Sequence, residues 1–345
     1  MPVSQLVEYF NDRIRAEQIR YLPEDPLRIR NGAVEGRFGA IRFQSVFQAR
    51  VAMWSGRPHV VGHAASLRAS GGANTGLDAD KVIPVRDVFA AARDGKAVVY
   101  LDRLCRLVHT LNYLRQTGET GSLFLHVHAR HVAGVATEHG RDFEQVLERC
   151  GLQPDRVVIV YTPSGNEDED SLARIRHALQ GYRHRGYSVL LNTDGAFSVH
   201  QALKYAWMLL PNYVQIDAGR MTAGSPRYPS SILNELSTLI VVSKVRTAIE
   251  AQRALARGAD LLAGDYYGRA SSEVRFSVNM RQTVECGGNR DFKRFFSPRG
   301  TVLAGLVSCR TFESSAWNRG PFGSFIGPRR YVSGRFGVLG EPKII

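Results

Sequence analysis

RVVIVYTPSGNEDEDSLARIRHALQGYRHRGYSVLLNTDG, Arg156–Gly195, switches its apolar rhythm twice within forty residues. RVVIVYTP is a short, nearly continuous apolar run of the length expected for a strand buried on both faces. EDEDSLARIRHALQGYRHRG reads as a helix whose acids, in the run Asn166–Asp170, sit at its N-terminus, where the macrodipole favours them. That charge run is expected to be a solvated helix start. YSVLLNTDG returns to a strand. The same unit repeats on either side. Upstream lie GSLFLHVHARHV as a strand and RDFEQVLERCG as a helix ending at Gly151. Downstream come VHQALKYAWMLL as a helix, YVQIDAG as a strand, SSILNELSTL as a helix, TLIVVSKV as a strand, AIEAQRALARG as a helix and ADLLAGDYYG as a last strand. Strands alternating with helices over nearly 200 residues imply parallel strands joined by crossover helices, and seven or eight such units favour a closed (β/α)8 barrel over an open sheet. No GxGxxG or GxxxxGK[ST] loop follows any strand, which argues against a nucleotide-binding doubly wound sheet.

The segment before the repeat differs. MPVSQLVEYFNDRIRAEQ places Leu6, Val7, Phe10 and Ile14 at helical spacing and has acids among its apolar residues, unlike a signal peptide. RYLPEDPLRIRNG, with two prolines and a glycine, reads as a connecting segment. AIRFQSVFQARV alternates, with Ile41, Phe43, Ser45 and Phe47 on one side, and HVVGHAASL follows the turn at SGRP, so the two are expected to pair as an antiparallel hairpin. PVRDVFAAARDG reads as a helix closed by Gly95, and LDRLCRLVHTLNYLRQTG as the next helix. The expected organisation is therefore an N-terminal helix and connecting segment over residues 1–38, a barrel over 39–270 and an extension over 271–345.

The chain of 345 residues carries 45 Lys and Arg against 32 Asp and Glu, a net charge of +13. Residues 271–345 hold 12 of the basic and 5 of the acidic residues, so more than half the surplus lies there, with 10 glycines and half of the 16 phenylalanines. Such a Gly/Arg/Phe-rich extension is expected to be flexible; the alternative is nucleic-acid binding by charge and stacking. Cys105, Cys150, Cys286 and Cys309 stand far apart, without a CxxC pair or a zinc spacing, and are expected to be reduced cysteines of a cytoplasmic protein. No run approaches the roughly 18 apolar residues of a membrane span.

In order along the chain, RFQSVF, GHAASLR, LFLHVHARHV, VVIVYTPS, LLNTDGAFS, LPNYVQIDAGRM, SKVRT and ALARGADLLAGDYYGRA resemble the successive strands of the EAL domain family, the barrel phosphodiesterases of bacterial cyclic di-GMP signalling. The resemblance spans about Gly39 to Ala270. It implies an EAL-type (β/α)8 barrel with an antiparallel first strand pair. In the family, oxygen ligands at the strand ends hold two divalent cations that activate water. At the positions of those groups this chain has Ala64 for the signature Glu, His126 for the Asn, Val160 for the second Glu, and Asn192 and Thr193 for the Asp pair. Gln215 replaces the Lys, Ser243 the later Glu and Ala263 the closing Gln. The metal carboxylates are missing, and no cofactor is expected.

Gln44, Arg68 and Asp217 match family positions, and Arg68 stands where members use an Arg on a ligand phosphate. These three are the expected remnant of a cyclic di-GMP site, the competing reading being that Arg68 is a rim residue paired to Asp217 or another carboxylate. In HVHARH, His126 and His128 would face one side of a strand and His131 could fold back, giving either a three-His metal site or ordinary rim imidazoles. The resemblance and the missing carboxylates together imply a catalytically inactive regulatory module acting by protein–protein interaction, with or without residual cyclic di-GMP binding. The alternative is an active cyclic di-GMP phosphodiesterase, or another enzyme using the barrel rim. The expected partner is a protein of unidentified kind. Nucleic acid would be reached through the tail alone, and a homodimer is a further option.

Overall fold

A hairpin of two long strands opens the barrel. The computed structural model describes residues 2–17, 23–71, 82–117, 121–134, 140–194, 197–220, 233 and 235–277. Strands and helices are labelled in chain order. β3 (Ile41–Trp54) runs antiparallel to β4 (Arg57–Gly71). Their turn is Ser55-Gly56, both at positive φ (49° and 74°), the twist that a two-residue hairpin requires. The short β5 (Val82–Ile83) lies along the far end of β4. From β4 the sheet proceeds in parallel through β6 (Ser122–Val127), β7 (Val157–Tyr161), β8 (Ser188–Asn192), β9 (Tyr213–Asp217), β10 (Leu239–Ser243) and β11 (Leu261–Leu262). β11 then pairs antiparallel with β3 through Leu262 and Val51, closing an eight-stranded barrel in which β3 alone runs against its neighbours. The repeat and the antiparallel first pair are both as the sequence suggested.

Alternation sorts the core into layers. Ala52, Ala64, Phe124, Val158, Val160, Leu190, Val241 and Leu261 fill the inside of the barrel. The outward residues of the same strands, among them Leu123, Leu125, Ile159, Val189, Leu191 and Val242, pack against the surrounding helices. Those helices are α3 (Gly95–Thr117), the short α4 (Ala129–Gly134), α5 (Arg141–Cys150), α6 (Glu169–His184), α7 (Val199–Leu209) and α8 (Ala248–Ala256). Their starts are written locally. Asp168 accepts the Ser171 amide at 2.7 Å, while Ser198 with Gln201 and Thr247 with Glu250 form reciprocal capping boxes. α5 ends on Gly151 in the left-handed conformation, as read from the sequence.

Three expectations are corrected. The segment RYLPEDPLRIRNG is not all connection: β1 (Leu27–Arg30) pairs with β2 (Ala33–Phe38), and β2 continues the sheet along β3. Asn31-Gly32, both at positive φ, makes the tight turn, a hairpin signal that the two prolines mask. Asn112 of α3 holds the amide and carbonyl of Val34 (2.8 and 2.7 Å), and Asn11 of α1 (Val3–Ala16) does the same for Leu27. Second, Gly95 does not close a helix. The helix after Pro84, α2 (Val85–Ala90), has ended before it, and Asp94 caps α3 by accepting the Ala97 amide at 2.8 Å. Third, the expected extension begins on the barrel: Ser271 exchanges two backbone hydrogen bonds with Phe47, and Gln116 holds Ser272 and Val274. The rest of it, residues 278–345 with Cys286 and Cys309, lies outside the described residues, as do residues 230–232 and 234 of the helix expected at SSILNELSTL. Cys105 and Cys150 are free thiols. Among the described residues, no helix is long and apolar enough to cross a membrane.

Candidate functional site

Barrels of parallel strands gather their functional groups where the strands end, because the loops there vary while the strands hold position. Here that mouth is ringed by the ends of β4 and β6 to β11 and by the start of β3. Its floor carries one hydrogen-bonded network. Arg50, on the inner face of β3, donates from Nη2 to Gln215 Oε1 of β9 at 2.9 Å. The Gln215 amide donates to Asn192 Oδ1 (3.0 Å) and to Asp194 Oδ2 (2.8 Å). Ser243 of β10 donates to the other carboxylate oxygen, Asp194 Oδ1, at 2.7 Å. Asn192 in turn donates to Thr162 Oγ1, and Thr193 donates to the Gln215 carbonyl at 2.7 Å. Donors and acceptors alternate without conflict, which fixes the orientation of the Gln215 amide.

Arg50 is buried, 5% exposed, with its guanidinium 5.7 Å from the centre of the Phe124 ring. A register shift in the β3–β4 ladder falls at Arg50 and Val51, where Val61 has no partner opposite it. Bulges of this kind re-aim the neighbouring side chain. Desolvation lowers the Arg50 pKa to about 10, opposed by the charge of Asp194, so the group is still cationic at neutral pH. His126, the next-to-last residue of β6, is exposed to solvent yet close enough to Arg50 to feel its charge. Desolvation, and then the Arg50 charge, pushes its pKa down and leaves the ring neutral at pH 7.

Of the positions singled out in the sequence, Asn192, Thr193, Gln215 and Ser243 meet in this network. Ala64 and Val160 are buried in the apolar interior. Ala263 continues β11, its amide on the Val242 carbonyl and its carbonyl accepting from Val245. The following Gly264 is required sterically: a Cβ there would stand 2.2 Å from the Val245 oxygen. Gln44 and Arg68 are direct cross-strand partners in the β3–β4 ladder, on the inward side beyond the barrel's rim. Asp217 does not pair with Arg68. It holds Lys244 Nζ at 2.6 Å and the Gly219 amide at 2.8 Å, and these partners overcome partial burial to keep its carboxyl below the usual range. Among the described residues Arg68 has no ion pair.

The three histidines of HVHARH do not converge. β6 ends at Val127, so strand alternation no longer governs the residues beyond it. His128 stacks on Phe89, with ring centres 4.5 Å apart, while its amide donates to Asp102. His131 is buried against α3, 3.4 Å from both Asp102 Oδ2 and Arg106 Nη2. Asp102 and Arg106 themselves form a buried ion pair at 2.9 Å.

The two divalent cations implied by the resemblance do not fit this mouth. Each would need about six oxygen ligands, one or more of them a carboxylate free to bind it. The mouth offers Asp194, both of whose oxygens already accept hydrogen bonds, and Asp217, bound to Lys244; of the carboxylates in the loops beyond, Glu167 after β7 is taken up by Tyr205 and the Ser164 and Gly165 amides, and Asp265 after β11 accepts from Gln48. Among the described residues, no group of three His, Cys, Asp or Glu could hold a metal ion. Arg50 was not singled out in the sequence. Its signal lay in the second face of β3, where Gln44, Gln48 and Arg50 follow at even spacing: a strand closed into a barrel buries both faces, so a charge there points inward.

The fold is that of EAL domain barrels. Solved structures at this level of likeness include the Bacillus subtilis YkuI protein, with an EAL domain, in complex with substrate c-di-GMP and calcium: TM-score 0.54, 19% identity, covering 68% of this chain and 57% of that one. A standalone EAL protein of Vibrio cholerae O395 in its c-di-GMP-bound form gives 0.54 at 18% identity, covering 69% and 95%. The FimX EAL domain of Pseudomonas aeruginosa bound to c-di-GMP gives 0.55 at 16%, covering 68% and 93%. The chain thus spans somewhat over half the length of the first and nearly all of the other two. No family profile and no curated protein matches the sequence.

Proposed function

We propose that this chain is a degenerate EAL-type regulatory module that does not hydrolyse a phosphodiester and that acts by protein–protein interaction. The observation that carries the reading is the floor of the mouth: Gln215, Asn192 and Ser243 tie up Asp194 and one arm of Arg50 where metal-assisted hydrolysis needs free carboxylates. A module without turnover passes on its state through contact. Its outer helices offer apolar side chains for this, Trp207 on α7 at 62% exposure and Ile249 on α8 at 59%.

A second reading, that the mouth binds cyclic di-GMP without metal, is favoured by one feature. Gln44 and Arg68 face each other across β3 and β4, and Arg68 is exposed without an ion-pair partner among the described residues. An Arg fork can hold a phosphate diester by paired charge-assisted hydrogen bonds. The test joins a calorimetric titration of cyclic di-GMP with a turnover assay in Mn²⁺. The proposal expects no turnover. Heat of binding supports the second reading and its absence restricts the chain to protein contact, whereas turnover overturns both.

A further inference from the structure

A cavity of about 180 Å³ lies on the outside of the barrel, between α1, α3 and α5. All three helices give it apolar walls: Phe10 and Ile14, Leu104 and Leu107, Phe143 and Val146. Tyr100 adds a third aromatic ring. The walls are held in place from outside the cavity. Phe143 has the Arg106 guanidinium 4.8 Å from its ring centre and the Tyr187 ring stacked at 6.4 Å, and α1 is pinned by the paired hydrogen bonds of Asn11 to Leu27. These partners oppose collapse of the helices into the space, and an apolar cavity left unfilled costs stability in proportion to its volume. A cavity of about 150 Å³ with Leu, Ile and Phe walls takes up a benzene ring, so one ring fits here. The charged residues of the lining are more exposed than the apolar ones and stand at its rim. There Arg103 and Asp142 form a close ion pair. Arg13 is less committed: it reaches Glu17 Oε1 at 3.5 Å and Gln145 Oε1 at 3.4 Å, well beyond the roughly 2.7–2.9 Å of a strong charge-assisted bond. A single anionic group over the cavity finds in Arg13 a planar fork with donors to spare.

We propose that this cavity binds a small aromatic carboxylate, its ring held among Phe10, Leu104 and Phe143 and its carboxylate on Arg13. Three aromatic side chains suit a flat ring through edge and offset contacts, and one loosely held guanidinium suits one anionic group. The site is built from the N-terminal helix and the outer helices of the barrel, with no residue of the mouth, so it stands apart from both readings of the chain's activity.

The test uses the full chain and two probes followed by ¹⁹F spectroscopy, 4-fluorophenylacetate and its neutral counterpart 4-fluorobenzyl alcohol. The acid should bind saturably with a Kd below about 1 mM, the range open to a ligand of this size, and the alcohol at least about fivefold more weakly. Arg13→Gln should weaken the acid by about fivefold or more and leave the alcohol within about twofold, because it removes the anion's partner and keeps the walls. Ile14→Trp, which fills the cavity from α1, should abolish binding of both probes. Thermal unfolding shows whether that variant keeps its fold; if it does not, Val146→Phe fills the same space from α5 and decides. Three results would each overturn the proposal: no saturable binding of the acid up to about 5 mM, affinity for the acid unchanged in Arg13→Gln, or binding that survives a folded cavity-filling variant. Displacement of the acid by cyclic di-GMP would place it in the mouth and overturn the proposal as well. None of these outcomes bears on the non-hydrolysing reading, which is judged by turnover in Mn²⁺.

Discussion

Arg50 and Asp194 share the floor of the mouth through one amide, and removing either partner would strand the other. Gln215→Ala deletes the bridge and leaves a buried guanidinium with less compensation. A loss of about 2–4 kcal/mol is expected in denaturant unfolding, and a loss under about 0.5 kcal/mol would mean that the network contributes little. A second residue-scale effect concerns His109 on α3, fully buried with Nδ1 2.8 Å from Ser45 Oγ. Desolvation, then His126, lowers its pKa to about 3, against about 6.5 in the unfolded chain. Its neutral form therefore belongs to the fold. The associated stability is complete above about pH 6.5 and declines as the pH falls towards 3, by roughly 1.4 kcal/mol per pH unit. Melting of His109→Gln between pH 7 and 4 should show a shallower slope than the parent; identical slopes would contradict the assignment. At this scale the sequence was partly legible. Asn192, Thr193, Gln215 and Ser243 could be placed at strand ends, but their mutual contacts depend on the register of three strands. Arg50 stayed hidden because an alternating strand read in isolation exposes its polar face.

Elements meet where backbones come close. Gly62 of β4 faces Ser122 of β6 in the register that starts the parallel run, and a Cβ at Gly62 would lie 2.3 Å from the Ser122 carbonyl oxygen. Gly62→Ala must therefore push the two strands apart, and a cost of about 1–3 kcal/mol or more is expected. A neutral result in thermal unfolding would show the junction to be looser than described. Helix starts are more forgiving: Ser198→Ala should lower stability by about 1 kcal/mol through loss of the α7 cap. The elements of the repeat were the most legible feature, since runs such as Val157–Tyr161 and Ser188–Asn192 are separated by a helix of conventional length. Less legible was the N-terminal hairpin. Its partners are Asn112, far along the chain, and β3, so only the Asn31-Gly32 turn marked it locally.

For the whole molecule, closure of the sheet through β11 and β3 brings the ends of seven parallel strands into one mouth. The groups that stand in that mouth decide whether the barrel can hydrolyse a phosphodiester. The sequence reading implied that metal carboxylates are missing; the structure adds, at the ends of β8 to β10, a network anchored on a buried cation. Turnover of cyclic di-GMP by the purified full chain in excess Mn²⁺, followed as linear product over many protein equivalents, tests this most directly. The expected result is product no greater than in buffer with Mn²⁺ alone. Metal-dependent formation of linear product that scales with protein concentration would contradict the account.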